Sequence, residues 1–278
     1  MIVKARPPLR RLKRRLLLEL DRPTNFAKTD LINLIAKRLN FRTYLELCTR
    51  TTGNRYSEIN RSHFNTSLRL MYNCPVSFDD GLPIDFRSVD FDIADALEQL
   101  KADNDQVDIC LVDSWHTYDC TIRDLTAAYD LLADGGVLVV HDCLPPSESA
   151  ASPIAKPGDW CGVSYRAFLD FVIDRSGLDY CTVDIDYGCG IIFKNRAIRD
   201  SKLSLPSSDP KLIAGWFANH DDDATAFRFF MENHVSLLRL TSGKAFVRGI
   251  SKKMLCPLTD IQLLGGAGTI KIARQLQQ

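Results

Sequence analysis

The stretch from Val107-Asp-Ile-Cys-Leu-Val-Asp-Ser-Trp-His-Thr-Tyr118 to Gly135-Gly-Val-Leu-Val-Val-His-Asp142 decides the fold. Val107–Val112 and Val137–Val140 are nearly continuous apolar runs, which indicates strands buried on both faces of a parallel sheet. Between them, Tyr118–Leu132 has the spacing of an amphipathic helix and stops before Asp134-Gly-Gly136. A strand, a helix and a strand in this order form a βαβ unit. The sequence therefore predicts the α/β class, with a doubly wound, mostly parallel sheet.

Further elements extend this unit in both directions along the chain. The patterns predict strands over Tyr44–Cys48 and Ser67–Asn73, and helices over Phe91–Lys101 and Tyr165–Ser176. Two last strands, Cys181–Ile185 and Gly190–Lys194, are joined by the tight turn Asp186-Tyr-Gly188. The sheet is thus expected to end in an antiparallel hairpin.

Both ends of the chain carry helical patterns outside this sheet. Leu9–Leu20 places leucines on one face and basic residues on the other, a pattern that suits docking on the core, a partner or an anionic membrane surface. A second helix is expected from Thr29 to Leu39. A linker over 200–212 precedes an aromatic helical region from Trp216 to about Leu240. We therefore expect a helical extension over 1–39, a main domain over 40–196, and a helical cap or dimerisation region over 197–278.

The composition excludes several classes of partner. Thirty-five basic and 35 acidic side chains give a formal net charge of zero, so no overall charge favours nucleic acid. Apolar runs are too short for a transmembrane segment. Nine scattered cysteines without a C-x-x-C pair suggest reduced thiols and a cytoplasmic protein.

Polar residues follow three of the predicted strands, and in an open α/β sheet ligands bind beyond such carboxyl ends. Thr49–Asn54 follows the strand that contains Glu46, Asp113 and His116 follow the next strand, and His141-Asp142 follows the third. An imidazole near neutrality suits removal of a hydroxyl proton, and Asp113, His141 and Asp142 together could hold a divalent cation. The alternatives are a helix N-cap or a loop hydrogen bond for Asp113, a surface or capping position for His116, and a purely structural or substrate-contacting role for His141-Asp142.

The residues Asp108–Tyr118, Arg123-Asp-Leu125 and Leu132–Cys143 together resemble the class I methyltransferases of the methyltransferase domain 24 group. In that group one strand ends in Asp-Gly-x-His-x-Tyr, and the next, after Gly-Gly, ends in His-Asp or Asp-Asp. Trp160–Arg166 and the Asp184–Gly188 hairpin also resemble the end of that domain. The resemblance covers about residues 40–196.

The resemblance implies that S-adenosylmethionine is bound at the ends of the first strands. The implied cofactor residues are Glu46, Cys48, Thr49, Gly53, Asn73, Ser88 and Asp113. Cys48 stands where the family has its first glycine, and Asn73 stands near the place of its ribose-binding acid. In some relatives, residues like Asp113, His141 and Asp142 bind Mg²⁺. The resemblance further implies that His116 and Asp113 are catalytic, with His116 as the base.

The leading hypothesis is O-methylation of a small molecule or saccharide, by a chain that forms a homodimer through its terminal helices. A scaffold that binds a ligand or protein partner without transferring methyl groups is the alternative from another class, and the altered glycine position favours it. A third hypothesis is a metal-assisted enzyme with different chemistry.

Overall fold

The computed structural model describes residues 26–49, 58–72, 86–89, 93–102, 106–156, 158–175, 178–198, 209–219, 222–250 and 255–257. The helices are α1 Lys28–Leu39, α2 Ile93–Ala102, α3 Tyr118–Leu131, α4 Ser164–Asp174, α5 Pro210–Asn219, α6 Asp223–Leu237 and α7 Gly243–Gly249. The strands are β1 Thr43–Cys48, β2 Thr66–Tyr72, β3 Phe86–Val89, β4 Val107–Asp113, β5 Leu132–Val140, β6 Asp179–Asp184, β7 Cys189–Phe193, β8 Arg196–Ile198, β9 Leu240–Ser242 and β10 Leu255–Pro257.

Eight strands form one sheet in the order β3-β2-β1-β4-β5-β7-β6-β9. Strand β7 runs antiparallel to both of its neighbours, and every other pair in the sheet is parallel. The predicted doubly wound sheet that ends in a hairpin is therefore confirmed. Strands β8 and β10 pair separately.

Alternation along the central strands divides the core into two layers. Cys110 and Leu138 belong to one apolar cluster, which also contains buried residues of α2 to α6. Ile109 and Val137 belong to a second cluster on the opposite face, which contains the apolar side of α1 and Phe246 of α7. Both faces of the central strands are covered, which is the physical reason for their continuous apolar runs.

The structure differs from the sequence patterns at several boundaries. Strand β5 begins at Leu132 and includes Gly135-Gly136, which had been expected to lie before the strand. Helix α5 begins at Pro210, inside the expected linker, because proline suits the first turn of a helix. The C-terminal region is not helical throughout, since β9 adds an eighth strand beside β6. Its three residues are too few to show an alternating pattern.

The basic segment Leu9–Leu20 lies outside the described residues. Every helix that the structure describes is too short or too polar to span a bilayer.

Candidate active site

Strand register brings the predicted polar residues to one edge of the sheet. Cys48 of β1 is the register partner of Asp113 of β4, and Val112 is the partner of Val140, which precedes His141. From β1 the chain continues to β2 on one side and later to β4 on the other, so this edge is a topological switch point. Such a point is where open α/β sheets bind ligands.

Four residues at this edge form the acid–histidine cluster: Asp113, His116, His141 and Asp142. All four are buried. Asp113 Oδ1 lies 3.1 Å from His141 Nδ1 and 3.6 Å from His116 Nε2. Asp142 Oδ2 lies 3.2 Å from His141 Nδ1 and 3.3 Å from His116 Nε2. The structure thus brings together two carboxylates and two imidazoles that are separated by up to 29 positions in sequence.

His116 is held by the loop that precedes α4. Its Nδ1 lies 2.9 Å from the backbone carbonyl of Trp160, and the two rings lie 5.2 Å apart. Because a carbonyl only accepts hydrogen bonds, Nδ1 carries a proton. In the neutral ring the lone pair is therefore on Nε2, a buried atom that makes no hydrogen bond within the described structure. This is the state that a general base requires.

Gly162 explains how the loop can approach His116 so closely. Its φ is +57°, and a Cβ at this position would lie 2.0 Å from the backbone oxygen of His116. The same oxygen accepts a hydrogen bond of 2.9 Å from the amide of Val163. Only glycine combines this backbone conformation with this contact.

The β6–β7 turn covers the cluster from the other side. The amide of Cys143 donates to the carbonyl of Gly188 at 3.0 Å, which docks the turn beside β5. Asp186, which has a φ of 44° in this turn, brings its Oδ2 to 3.6 Å from His141 Nε2. Asp142 also has a left-handed backbone, with φ 61°. Aspartate tolerates this region better than most residues.

The first residue of α1 also reaches the cluster. Lys28 Nζ lies 2.5 Å from Asp113 Oδ2, and both side chains are almost completely buried. The backbone amide of Lys28 donates to Asp186 Oδ2 at 3.0 Å. Neither Lys28 nor Asp186 had been predicted as a site residue. Helical periodicity shows which face of α1 is apolar, but it does not show which group meets its first turn.

Charges within the cluster shift its pKa values against the effect of burial. Burial alone would raise the pKa of Asp113, but Lys28 and His141 hold it well below its usual range. Burial alone would lower the pKa of both imidazoles. The carboxylates of Asp113 and Asp142 raise the pKa of His116 above its ordinary value and raise that of His141 well above it. The cluster therefore favours charged groups that balance one another.

The residues predicted to bind the cofactor have a different environment. Glu46 accepts a hydrogen bond of 2.8 Å from the hydroxyl of Tyr44, and Arg69 Nε lies 3.6 Å from its other oxygen. Arg69 Nε also donates to Cys48 Sγ at 3.4 Å. Burial raises the pKa of Glu46 to about 7, although Tyr44 and Arg69 lower it. The polar groups of β1 and β2 thus contact one another.

The remaining predicted cofactor residues are placed only in part. Thr49 is buried directly after β1. Ser88 lies in β3 as the register partner of Met71. Gly53 and Asn73 lie outside the described residues. None of these positions tests the predicted contacts, which stay predictions.

Three residues of the cluster have the donor set of a cation site. Asp113, His141 and Asp142 each offer one ligand atom, and these atoms lie within 4.8 Å of one another. Two carboxylate oxygens and an imidazole nitrogen suit a divalent cation such as Mn²⁺, and less closely Mg²⁺, which prefers oxygen. The chemistry of the donor set therefore fits a metal, while Lys28 already neutralises one of its carboxylates.

Comparison with protein families identifies the class of the fold. Residues 41–143 match the model of a family described as a methyltransferase domain. This match and the sheet order confirm the predicted resemblance of residues 41–143 to the class I methyltransferases. No curated protein matches the chain.

Solved structures with a similar arrangement include three methyltransferases. The O-methyltransferase TomG from Streptomyces achromogenes, involved in tomaymycin synthesis and solved with S-adenosylmethionine, is 19% identical over 70% of this chain and 92% of its own, with a TM-score of 0.45. An O-methyltransferase from Bacillus cereus in complex with S-adenosylhomocysteine is 12% identical over 68% and 92%, with a TM-score of 0.43. The methyltransferase PaMTH1 of Podospora anserina, bound to S-adenosylhomocysteine, is 12% identical over 69% and 98%, also with a TM-score of 0.43.

Proposed function

We propose that the protein is an S-adenosylmethionine-dependent O-methyltransferase that acts on a hydroxyl of a small molecule or saccharide. The observation that carries this proposal is the buried Nε2 of His116. In the neutral ring it bears the lone pair, because Nδ1 donates to the Trp160 carbonyl, and the carboxylates of Asp113 and Asp142 raise its pKa and so favour its uptake of a proton. It also lies at the switch point of the sheet that resembles a methyltransferase domain. A base at this position serves transfer to oxygen, because a hydroxyl must lose its proton as the new bond forms.

When bound, S-adenosylmethionine would supply a methyl group from its sulfonium, and the sulfur would leave as a neutral thioether. The chain would bind it beyond β1 and β4, where Glu46, Cys48, Thr49 and Asp113 lie. Gly53, Asn73 and Ser88 belong to the same proposed set.

His116 would remove the proton from the acceptor. Its Nε2 takes the hydroxyl proton, while Nδ1 keeps its hydrogen bond to the Trp160 carbonyl. The resulting imidazolium is stabilised by the carboxylates of Asp113 and Asp142, at 3.6 and 3.3 Å from Nε2. The electron pair left on the acceptor oxygen would then be available to accept the methyl group as the carbon–sulfur bond breaks. Holding oxygen, carbon and sulfur in line supplies much of the acceleration.

Exposed aromatic side chains beside the cluster support an acceptor with a ring. Trp115 is 37% exposed and lies 5.2 Å from the ring of Trp160 in an edge-on arrangement. Tyr187, 38% exposed, lies 6.5 Å from the ring of His141. Aromatic faces bind sugar or aromatic rings through apolar contact while polar groups fix their orientation.

Mg²⁺ or another divalent cation is a proposed second cofactor. Asp113, His141 and Asp142 are the residues that would hold it, and it would orient and acidify the acceptor hydroxyl. We further propose a homodimer through the terminal segments and a cytoplasmic location. The location is supported by seven described cysteines that are all free thiols.

Titration of the full chain with S-adenosylmethionine and S-adenosylhomocysteine tests the proposal. We expect saturable heat of binding and a rise of several degrees in melting temperature at about 100 times the dissociation constant. ATP, which shares the adenosine group without the sulfonium, is the control ligand. Absence of binding in every condition would contradict the proposal and favour the alternative scaffold function.

A further inference from the structure

Helix α1 begins with a lysine that is directed into the acid–histidine cluster. The Lys28 side chain is 8% exposed and that of Asp113 is not exposed, and their charged atoms lie 2.5 Å apart. The backbone amide of the same residue donates to Asp186. Lys28 is therefore anchored to the cluster by both its main chain and its side chain.

This ion pair differs from ordinary surface pairs because it is buried. Removing an ammonium and a carboxylate from water is costly, and removal of one partner leaves an uncompensated buried charge. Burial alone would lower the pKa of Lys28, but Asp113, with Asp186 and Asp142, raises it above its ordinary value. The lysine is thus a buried positive charge 2.5 Å from the Asp113 carboxylate.

The position of this charge coincides with the candidate metal site. Asp113 is one of the three residues that offer ligand atoms to a cation, and Lys28 contacts its Oδ2. A divalent ion on Asp113 would lie close to the ammonium, and the repulsion between two cations would weaken its binding. One carboxylate cannot fully compensate both at the same time.

We propose that Lys28 is the resident cation of Asp113 and competes with a divalent metal for this carboxylate. This proposal rests on the metal site of the proposed function. It assigns the first turn of α1 as the element that sets the metal affinity of that site. Lys28 is here a positioning residue, because it acts on Asp113 and not on the reacting atoms.

Calorimetric titration of the full chain with Mn²⁺ tests the proposal. We expect Lys28→Met to bind Mn²⁺ at least about ten-fold more tightly than the wild type, because it removes the competing charge. Lys28→Arg keeps the charge and should bind Mn²⁺ no more tightly than the wild type. Lys37→Met is the matched control on the exposed face of the same helix, and it should leave the affinity unchanged. Equal or weaker Mn²⁺ binding by Lys28→Met, or the same gain in Lys28→Arg, would overturn the proposal.

Thermal denaturation covers the case in which Lys28→Met folds poorly. This variant leaves Asp113 buried without its cation, so Mn²⁺ should raise its melting temperature more than that of the wild type. Asp113→Asn added to Lys28→Met should remove this gain. If Mn²⁺ has no greater effect on Lys28→Met, or if the double variant keeps the gain, the proposal fails.

Binding of S-adenosylmethionine, measured on the same samples, separates this proposal from the proposed function. If the cofactor binds but Mn²⁺ affinity does not depend on Lys28, only the competition is overturned. If Lys28→Met gains Mn²⁺ affinity but no sample binds the cofactor, the competition stands and the methyltransferase function fails.

Discussion

The polar side chains in the two halves of the candidate site differ in their hydrogen-bond partners. At the ends of β4 and β5, the Nε2 atom of His116 is buried, lies near two carboxylates and makes no hydrogen bond among the described residues. At the ends of β1 and β2, Glu46 contacts Tyr44 and Arg69, and Arg69 contacts Cys48. In the first half, one buried imidazole nitrogen is thus left without a hydrogen bond among the described residues. In the second half these groups contact one another, so cofactor binding there depends on shape and on backbone groups as well as on side-chain charge.

The largest expected effect is on the β4–β5 half. His116→Ala removes the proposed base, so methyl transfer should fall by roughly 10²–10⁴-fold. The affinity for S-adenosylmethionine, measured by calorimetry, should stay nearly unchanged, because the ring is assigned to the acceptor. His234→Ala, far along the chain in α6, is the control and should keep full activity. A fully active His116→Ala would remove this residue from the mechanism.

Gly162 tests whether the loop must approach His116 closely. Gly162→Ala combines a φ of +57° with a Cβ 2.0 Å from a backbone oxygen, so we expect a loss of about 2–4 kcal/mol in the free energy of unfolding. Gly158→Ala is the matched control, because Gly158 has a φ of +89° but no neighbour among the described residues within 4 Å of the added Cβ. This variant should lower the free energy of unfolding, measured by urea denaturation, by only about 1 kcal/mol. Equal losses in the two variants would show that the close approach does not matter.

Cys48 tests whether the β1–β2 half restricts the cofactor. Cys48→Gly restores the residue found in the family that the chain resembles, and it should tighten S-adenosylmethionine binding by roughly ten-fold. The variant should also lose about 2 kcal/mol of stability, since it removes a buried side chain from a strand. Cys181→Gly, in β6, should lose similar stability without a gain in affinity. Unchanged or weaker binding in Cys48→Gly would show that the thiol does not narrow the pocket.

The last expected effect concerns the pH dependence of stability. The pKa of Glu46 is raised from 4.5 to about 7, so the folded state favours its protonated form. The stabilising contribution of protonated Glu46 is therefore fully present below pH 4.5 and is lost as the pH rises through 7. Relative to Glu46→Gln, the wild type should lose roughly 3 kcal/mol between pH 4.5 and pH 8. Urea denaturation at both pH values measures this, and an unchanged difference between the two proteins would show that folding does not raise the pKa of Glu46.

The sequence predicted the β4–α3–β5 unit well because its apolar runs are continuous and its helix has a clear apolar face. Because the strands are parallel, their carboxyl ends lie at one edge of the sheet, and so do the residues that follow them. Asp113, His116, His141 and Asp142 could therefore be grouped before their distances were known. Their mutual contacts support this grouping, while their roles stay predictions.

The contribution of Lys28 could not be predicted, because it depends on where α1 packs. Lys28 and Asp113 are 85 positions apart, and the pattern of α1 fixes its apolar face but not its location on the sheet. Asp186 was predicted as a turn residue, which it is, but no local pattern shows that its carboxylate faces His141. Strand β9 was missed because it is only three residues long.

A crystal structure of the full chain soaked with S-adenosylhomocysteine tests the central claim most directly. We expect the ligand to lie beyond the carboxyl ends of β1 and β4, with its sulfur on the side that faces His116 Nε2. A single acceptor oxygen should then fit about 3 Å from both the imidazole and the transferred methyl position. Ligand bound elsewhere, or with its sulfur directed away from the acid–histidine cluster, would contradict the assignment of this edge of the sheet as a methyl-transfer site.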